Sequence, residues 1–446
     1  MLKAKLIVGI LAAVGAICAL SCKSKPAADV PRLVVISPHN KDIEREFEEA
    51  FAAWHAETFG EPVTVEWRDV GGGSSTILTY LKNIYSRGST SGIDIAWGGG
   101  ETNFIKLADE GLLTPMTLAP DVLANIPPTF GGLEMIDPRR RWCGSAISGF
   151  GLLYNRRLLE KLALPAPQTW DDLAGPRLAD QLALADPTQS GTALAAYEMI
   201  VQSAPSWPQG WAKLLAVLGN ARKFYDSAGG AADAPMLGEA PIATSVDFYG
   251  ALRVAQAPDT IVYVSPRGQT AFSPDPIAIL KNPPHPQAAQ RFVDFVLSRR
   301  GQALWALRAG EQDGPRKATL GRQPIRKDVY AIYAGRMSPW TVNPYQAGNE
   351  MTLDVQARAV RFDLLKCLIR AAAIDNRDAL RAARRKLIAS NLDSTLVEEF
   401  NRLPDNVATM QEAARTAAEL KDAAAAERIT SDWAAFFRQK YRRILQ

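Results

Sequence analysis

The sequence predicts an α/β protein that ends in an all-helical segment. Three observations predict it. Short β-branched runs alternate with amphipathic helical stretches between residues 32 and 111, the rhythm of a parallel sheet with helices on both faces. A second α/β unit follows Pro165-Ala166-Pro167. From about Pro339 the strand signals stop and helical periodicity continues to the end.

The chain opens on a targeting segment. Lys3 and Lys5 precede the apolar run Leu6 to Leu20, which is short for a membrane span. It ends in Ala19-Leu20-Ser21-Cys22, and a polar stretch follows from Lys23. Residues 1–22 are therefore expected to be a signal peptide ending at the cysteine, with 23–30 as a tether.

Arg32 to Ser37 is a buried-strand run, and Pro38-His39-Asn40 is its loop. Asp42 to Thr58 carries Ile43, Phe47, Phe51 and Trp54 at helical spacing. Val63 to Val70 is the next strand, followed by Gly71-Gly72-Gly73-Ser74-Ser75 and a helix to about Ser86. Ile93 to Trp97 is a strand with the loop Gly98-Gly99-Gly100-Glu101, and Phe104 to Glu110 is a helix. In open α/β sheets ligands sit beyond the carboxyl ends of the strands. Three loops occupy that position here. Neither glycine loop matches a P-loop or a G-x-G-x-x-G fingerprint.

Trp142 to Tyr154 reads as extended, and Thr169 as the N-cap of a short helix. Then Leu182 to Ala185 leads through Asp186-Pro187 into Ser190-Gly191-Thr192, which opens the helical run Ala193 to Val201. A helix start presents free N–H groups and the positive end of the dipole. Gly191 allows close approach, and the flanking hydroxyls add donors, so the stretch suits an anion. The alternative is an ordinary cap, in which Ser190 or Thr192 satisfies the helix itself.

Trp207 to Leu218 reads as a helix. Pro241 to Val246, Ile261 to Ser265 and Ser273 to Leu280 read as strands, and Pro286 to Arg299 as a helix leading into a helical hairpin. The tail offers Asp354 to Ala373, Arg377 to Ala389 and Val407 to Gln439. The last is a solvated amphipathic helix without a sustained heptad.

With 446 residues the chain exceeds one small core. The net charge of +4 comes from interspersed acids and bases, with no basic patch for nucleic acid. Three histidines, His39, His55 and His285, are too few for a multi-histidine centre. Cys143 and Cys367 are either a bridge or two buried thiols. Neither G-x-S-x-G nor H-E-x-x-H occurs. An enzyme is not expected.

The cysteine-ended signal, Ser37 to Asn40, Gly98 to Leu113, Gly149 to Asn155, Pro167 to Leu173, Leu184 to Thr192, Ser245 to Gly250 and Asp275 to Leu304 carry a resemblance. In this order they resemble a bacterial extracellular solute-binding protein of an ABC importer, of the group that takes ferric iron, thiamine, phosphonates and sugar phosphates. The resemblance implies a two-lobed periplasmic-binding-protein fold of type 2 that closes by a hinge. Lobe 1 would be residues 31–143 plus 275–340, lobe 2 residues 144–274, and 341–446 a helical extension. It implies an exported, periplasmic lipoprotein anchored through Cys22, monomeric, without a cofactor, serving the transmembrane subunits of a permease. The expected ligand residues are His39, Gly73, Ser74, Ser75, Gly100, Glu101, Ser190, Gly191, Thr192, Asp247 and Tyr249. Iron binders of the group use a His, a Glu and two tyrosines. Here the matching residues are His39, Glu101 and Tyr249, with Phe248 in place of the second tyrosine. A small organic phosphate or phosphonate is therefore expected ahead of Fe(III), which would lack an oxygen ligand. A sensor lipoprotein docking through its tail is a further alternative.

Overall fold

The computed structural model describes residues 30–346 and 351–446. The signal segment, Cys22 and tether residues 23–29 lie outside the described residues. No helix among the described residues is long and apolar enough to cross a membrane.

Two sheets form two lobes. The first is seven-stranded, in the order Gln323–Pro324, Cys143–Ser148, Ser273–Leu280, Ile95–Trp97, Arg32–Ile36 and Thr64–Arg68, with Leu113–Thr114 also on Ser273–Leu280. Arg32–Ile36 runs parallel to both its neighbours. The expected all-parallel sheet is corrected to a mixed one, because Ser273–Leu280 returns antiparallel to three strands. The second sheet has five strands, in the order Ala221–Tyr225, Leu182–Ala185, Ile242–Val246, Phe150–Asn155 and Ile261–Val264.

The extended run from Trp142 to Tyr154 divides between the sheets. Cys143–Ser148 pairs in the first and Phe150–Asn155 in the second, so the chain passes between lobes at Gly149. It returns just before Ser273. The passage is held from behind: the Gly149 N–H donates to Asp247 Oδ2 (2.8 Å), and the Asp247 N–H donates to the Gly149 carbonyl (2.9 Å).

Aromatic side chains fill the first lobe. Phe47 sits 4.4 Å from Trp305 and 4.8 Å from Trp97, ring centre to ring centre, and all three are buried. Buried Glu46 ties the lobe's outer loop down, accepting the backbone N–H groups of Arg316, Lys317 and Ala318 at 2.6, 2.9 and 2.8 Å. Three donors on one carboxylate are charge-assisted bonds. Glu46→Gln is expected to lower unfolding free energy by about 2 kcal/mol, seen as a lower urea midpoint at unchanged slope.

The tail is helical as expected, with Val355–Ile369, Arg377–Ala389, Ser394–Asn401, Met410–Glu419 and Ala423–Leu445. The single helix expected from Val407 to Gln439 is two. Leu420 to Asp422 break it, and Asp422 caps the second by accepting from the Ala425 N–H. The second is not the solvated helix expected, because its own Trp433, Phe437 and Tyr441 are buried and Phe437 reaches Trp211 of the second lobe. The helix Ala228–Leu237 and the strand before it gave no clear sequence signal: the helix is rich in Ala and Gly and contains Pro235. Cys143 and Cys367 are free thiols.

Candidate ligand-binding cleft

Four helices begin at the cleft between the lobes. They are Ser74–Tyr85 and Glu101–Asp109 of the first lobe, and Gly191–Gln202 and Ala228–Leu237 of the second. The first two are capped by Gly73 and Gly100 without a side-chain bond, so their first-turn N–H groups have no side-chain partner. Four positive helix ends around one cavity favour an anion.

The lobes touch across this cleft. A Cβ on Gly73 would lie 2.7 Å from the Gln189 carbonyl oxygen, and one on Gly191 would lie 2.7 Å from Ser74 Oγ. Only glycine allows that approach. The run Gly98-Gly99-Gly100 adopts φ values of +90°, +104° and +84°. A side chain at Gly98 would meet the His39 ring, and one at Gly99 would meet Ser74. The enclosed space is about 160 Å³, the order of a cavity that holds one benzene-sized molecule.

A buried charged cluster forms its floor. Arg322 Nη1 donates to Asp275 Oδ2 at 2.6 Å, and Nη2 donates to Ser148 Oγ at 2.8 Å. His39 Nε2 lies 2.8 Å from the same Asp275 oxygen, and the Gly99 N–H donates to the other at 2.7 Å. The guanidinium stacks between Phe248 and Trp305, 4.3 and 4.9 Å from the ring centres. Burial works to raise the Asp275 carboxyl, but Arg322 and His39 hold it well below the usual carboxylate range. Burial lowers His39 from its ordinary value, outweighing the opposing pull of Asp275. Arg322 Nε and His39 Nδ1 are buried without a partner. At the other wall Glu101 pairs with Arg358, and both side chains are under one-tenth exposed.

Of the expected ligand residues, His39, Gly73, Ser74, Gly100, Glu101, Ser190, Gly191, Thr192 and Tyr249 line this cleft. The cap reading of Ser190 is seen directly, its Oγ accepting from the Ala193 N–H (3.2 Å), and the residue also stands at the cavity wall. Two expected residues are corrected. Ser75 does not line the cavity, since successive helix positions face different directions. Asp247 does not line it either. Its carboxylate is taken by the Gly149 and Phe248 N–H groups, and it borders a separate cavity behind the interlobe passage.

Sequence reasoning missed Arg322, Asp275, Ser148, Ser227 and Arg358, all of which line the cleft. Asp275 carried a signal: a carboxylate inside an otherwise apolar strand needs a partner. Arg322 and Arg358 carried none that names the partner, because Asp275 lies 47 residues before Arg322 and Glu101 lies far earlier than Arg358.

Two α/β lobes meeting at a cleft give this chain the two-lobed fold of periplasmic binding proteins. The chain belongs to the bacterial extracellular solute-binding protein family, which residues 94–316 match. Among curated proteins it is similar to the phosphoglycerate transport regulatory protein PgtC of Salmonella typhimurium, at 34% identity over 161 residues. The match covers 36% of this chain and 40% of that relative. Among solved structures it is similar in fold to the periplasmic binding protein AfuA from Actinobacillus pleuropneumoniae with fructose-6-phosphate bound. The TM-score is 0.59 at 20% identity, over 73% of this chain and 91% of that one. Iron-bound HitA from Pseudomonas aeruginosa gives 0.53 at 20% identity, over 72% and 93%. The matched family and these structural neighbours are solute-binding proteins of the ABC-importer type.

Proposed function

We propose that the protein captures a small organic phosphate between its lobes and delivers it to a membrane permease. The observation that carries this reading is the convergence of four helix starts on a cavity of about 160 Å³. Each buried arginine there is already paired with a carboxylate. The formal charges of those pairs cancel, so the net pull on a solute comes from backbone N–H groups, which suit phosphate oxygens. Two similar proteins point the same way: AfuA has fructose-6-phosphate bound, and PgtC is named for phosphoglycerate transport. The cavity volume suits the smaller of these.

Fe(III) with a synergistic anion is less well supported. His39 and Glu101 are engaged by Asp275 and Arg358, and burial pushes the Tyr249 hydroxyl up, away from phenolate. No group of three or more His, Cys, Asp or Glu side chains converges among the described residues. Thermal melting of the exported chain against 3-phosphoglycerate, fructose 6-phosphate, inorganic phosphate and Fe(III) tests the choice. A bound ester at a hundredfold excess over its Kd stabilises by about 2.7 kcal/mol. A rise with Fe(III) alone would overturn the phosphate reading.

Ser190→Ala combined with Thr192→Ala is expected to weaken ester binding about tenfold by calorimetry, as hydroxyl donors to the anion are lost. The lost cap lowers stability by about 1 kcal/mol. Unchanged affinity would remove this helix start from the site.

We further propose export by the signal segment, acylation at Cys22, and a monomer whose lobes are residues 31–148 and 273–340 against 150–272. The regulatory name of PgtC favours a second reading, in which the liganded protein signals to a partner. Cells lacking the protein would then take up labelled ester normally and lose only its transcriptional response.

A further inference from the structure

The family match ends at residue 316, yet the cleft is lined by two residues from beyond 350, Arg358 and Phe362. Both sit on the helix Val355–Ile369, the first of the tail. That helix is fastened to the second lobe, where Arg361 Nη2 donates to buried Glu198 at 2.7 Å. Further along, the Trp207 indole N–H donates to the Val407 carbonyl at 2.8 Å, and Arg384 Nε donates to Asn220 at 3.0 Å. The same helix crosses to the first lobe. Lys106 Nζ donates to Asp363 at 2.6 Å, and Arg358 pairs with Glu101.

A guanidinium has five N–H donors. Among the described residues those of Arg358 meet Glu101 and, at 3.5 Å, Thr102 Oγ1, and the residue lines the cavity. Arg322, on the cleft floor, commits both Nη groups to Asp275 and Ser148 and its plane to the stacking rings, which leaves its buried Nε without a partner. Glu101 itself is an anion held at the cleft wall by Arg358. It occupies the guanidinium in the way a carboxylate on a solute would.

We propose that the C-terminal extension is the third wall of the ligand site, and that Arg358 reads a second anionic group on the solute. The ligand class is then a small phosphate monoester that also carries a carboxylate. The proposal rests on the phosphate-ester reading above and narrows it.

The test uses the full exported chain, two probes and two substitutions that break the same bridge from opposite sides. The probes are 3-phosphoglycerate and glycerol 3-phosphate, which differ by the carboxylate. Wild type binds 3-phosphoglycerate more tightly. Arg358→Gln weakens it by about tenfold or more and glycerol 3-phosphate by less than about threefold, since only the former loses a charge-assisted contact. Glu101→Gln frees the guanidinium and removes a like charge, so it tightens 3-phosphoglycerate a few-fold. If both substitutions weaken both probes alike, the bridge serves only to hold the lobes closed and the proposal is overturned. It is equally overturned if Arg358→Gln changes neither affinity. If neither probe binds wild type, the phosphate-ester reading fails first and takes the proposal with it. Near-ultraviolet circular dichroism confirms that each variant is folded.

Discussion

Arg322→Met lowers the unfolding free energy at pH 7 by about 3–5 kcal/mol, the range for removing one partner of a buried ion pair. Asp275 then keeps His39 and the Gly99 N–H but loses the guanidinium that pairs with it. The methionine fills the slot between Phe248 and Trp305 without replacing the charge. The deficit depends on pH, and its sign follows from the carboxylate. In the native protein Asp275 titrates well below its unfolded value. Its contribution is complete above about pH 4 and declines as pH falls below that. In the variant, burial acts unopposed by Arg322 and raises the same group. The gap between the two proteins therefore narrows steadily from pH 7 toward pH 3. Urea unfolding across that range measures it. A gap below about 1 kcal/mol at pH 7, or one of constant size, would mean that Arg322 is not the counter-ion that Asp275 requires.

The second large effect concerns the passage between the lobes. Asp247 is buried there, and burial raises its carboxyl to about 6 in spite of the Gly149 N–H and nearby Arg322. A raised acid stabilises the fold in its protonated form. That contribution is whole below the ordinary value of 3.8 and disappears as pH rises through about 6. The displacement is worth about 3 kcal/mol. Asp247→Asn cannot titrate, so the stability of wild type relative to this variant falls by about that amount between pH 4 and pH 7. Parallel difference curves would show that the Asp247 carboxyl titrates normally and that the passage carries no buried charge.

Much of the fold was legible because its signals are local. The run Arg32 to Ser37, the helix with Phe47 and Phe51, and the loops after three strands each declare themselves within a few residues, and all three loops reach the cleft. Ser190-Gly191-Thr192 was legible for the same reason. What escaped depends on partners far along the chain. The resemblance places a passage between lobes near Gly144 to Tyr154, and what escaped is only that Gly149 is the residue dividing the two sheets, because the pairing strands begin at Ile242 and Ser273. Asp247 reads as a ligand residue from its neighbours Phe248 and Tyr249, yet the backbone of Gly149 claims it. The tail reads only as a helical extension, with nothing in it to indicate contact with the cleft, since the acids that meet Arg358 and Arg361 lie at Glu101 and Glu198.

The three glycines at positions 98 to 100 have a consequence for how such a protein can change its diet. All three hold left-handed backbone, and two have no room for a side chain. Mutation there finds no acceptable neighbour, so this edge of the first lobe is a fixed jaw. New ligand preferences have to arise on the opposing jaw and on the helix that carries Arg358 and Phe362. That helix adds no strand to either sheet, so its two cleft-facing positions can change without altering a strand register.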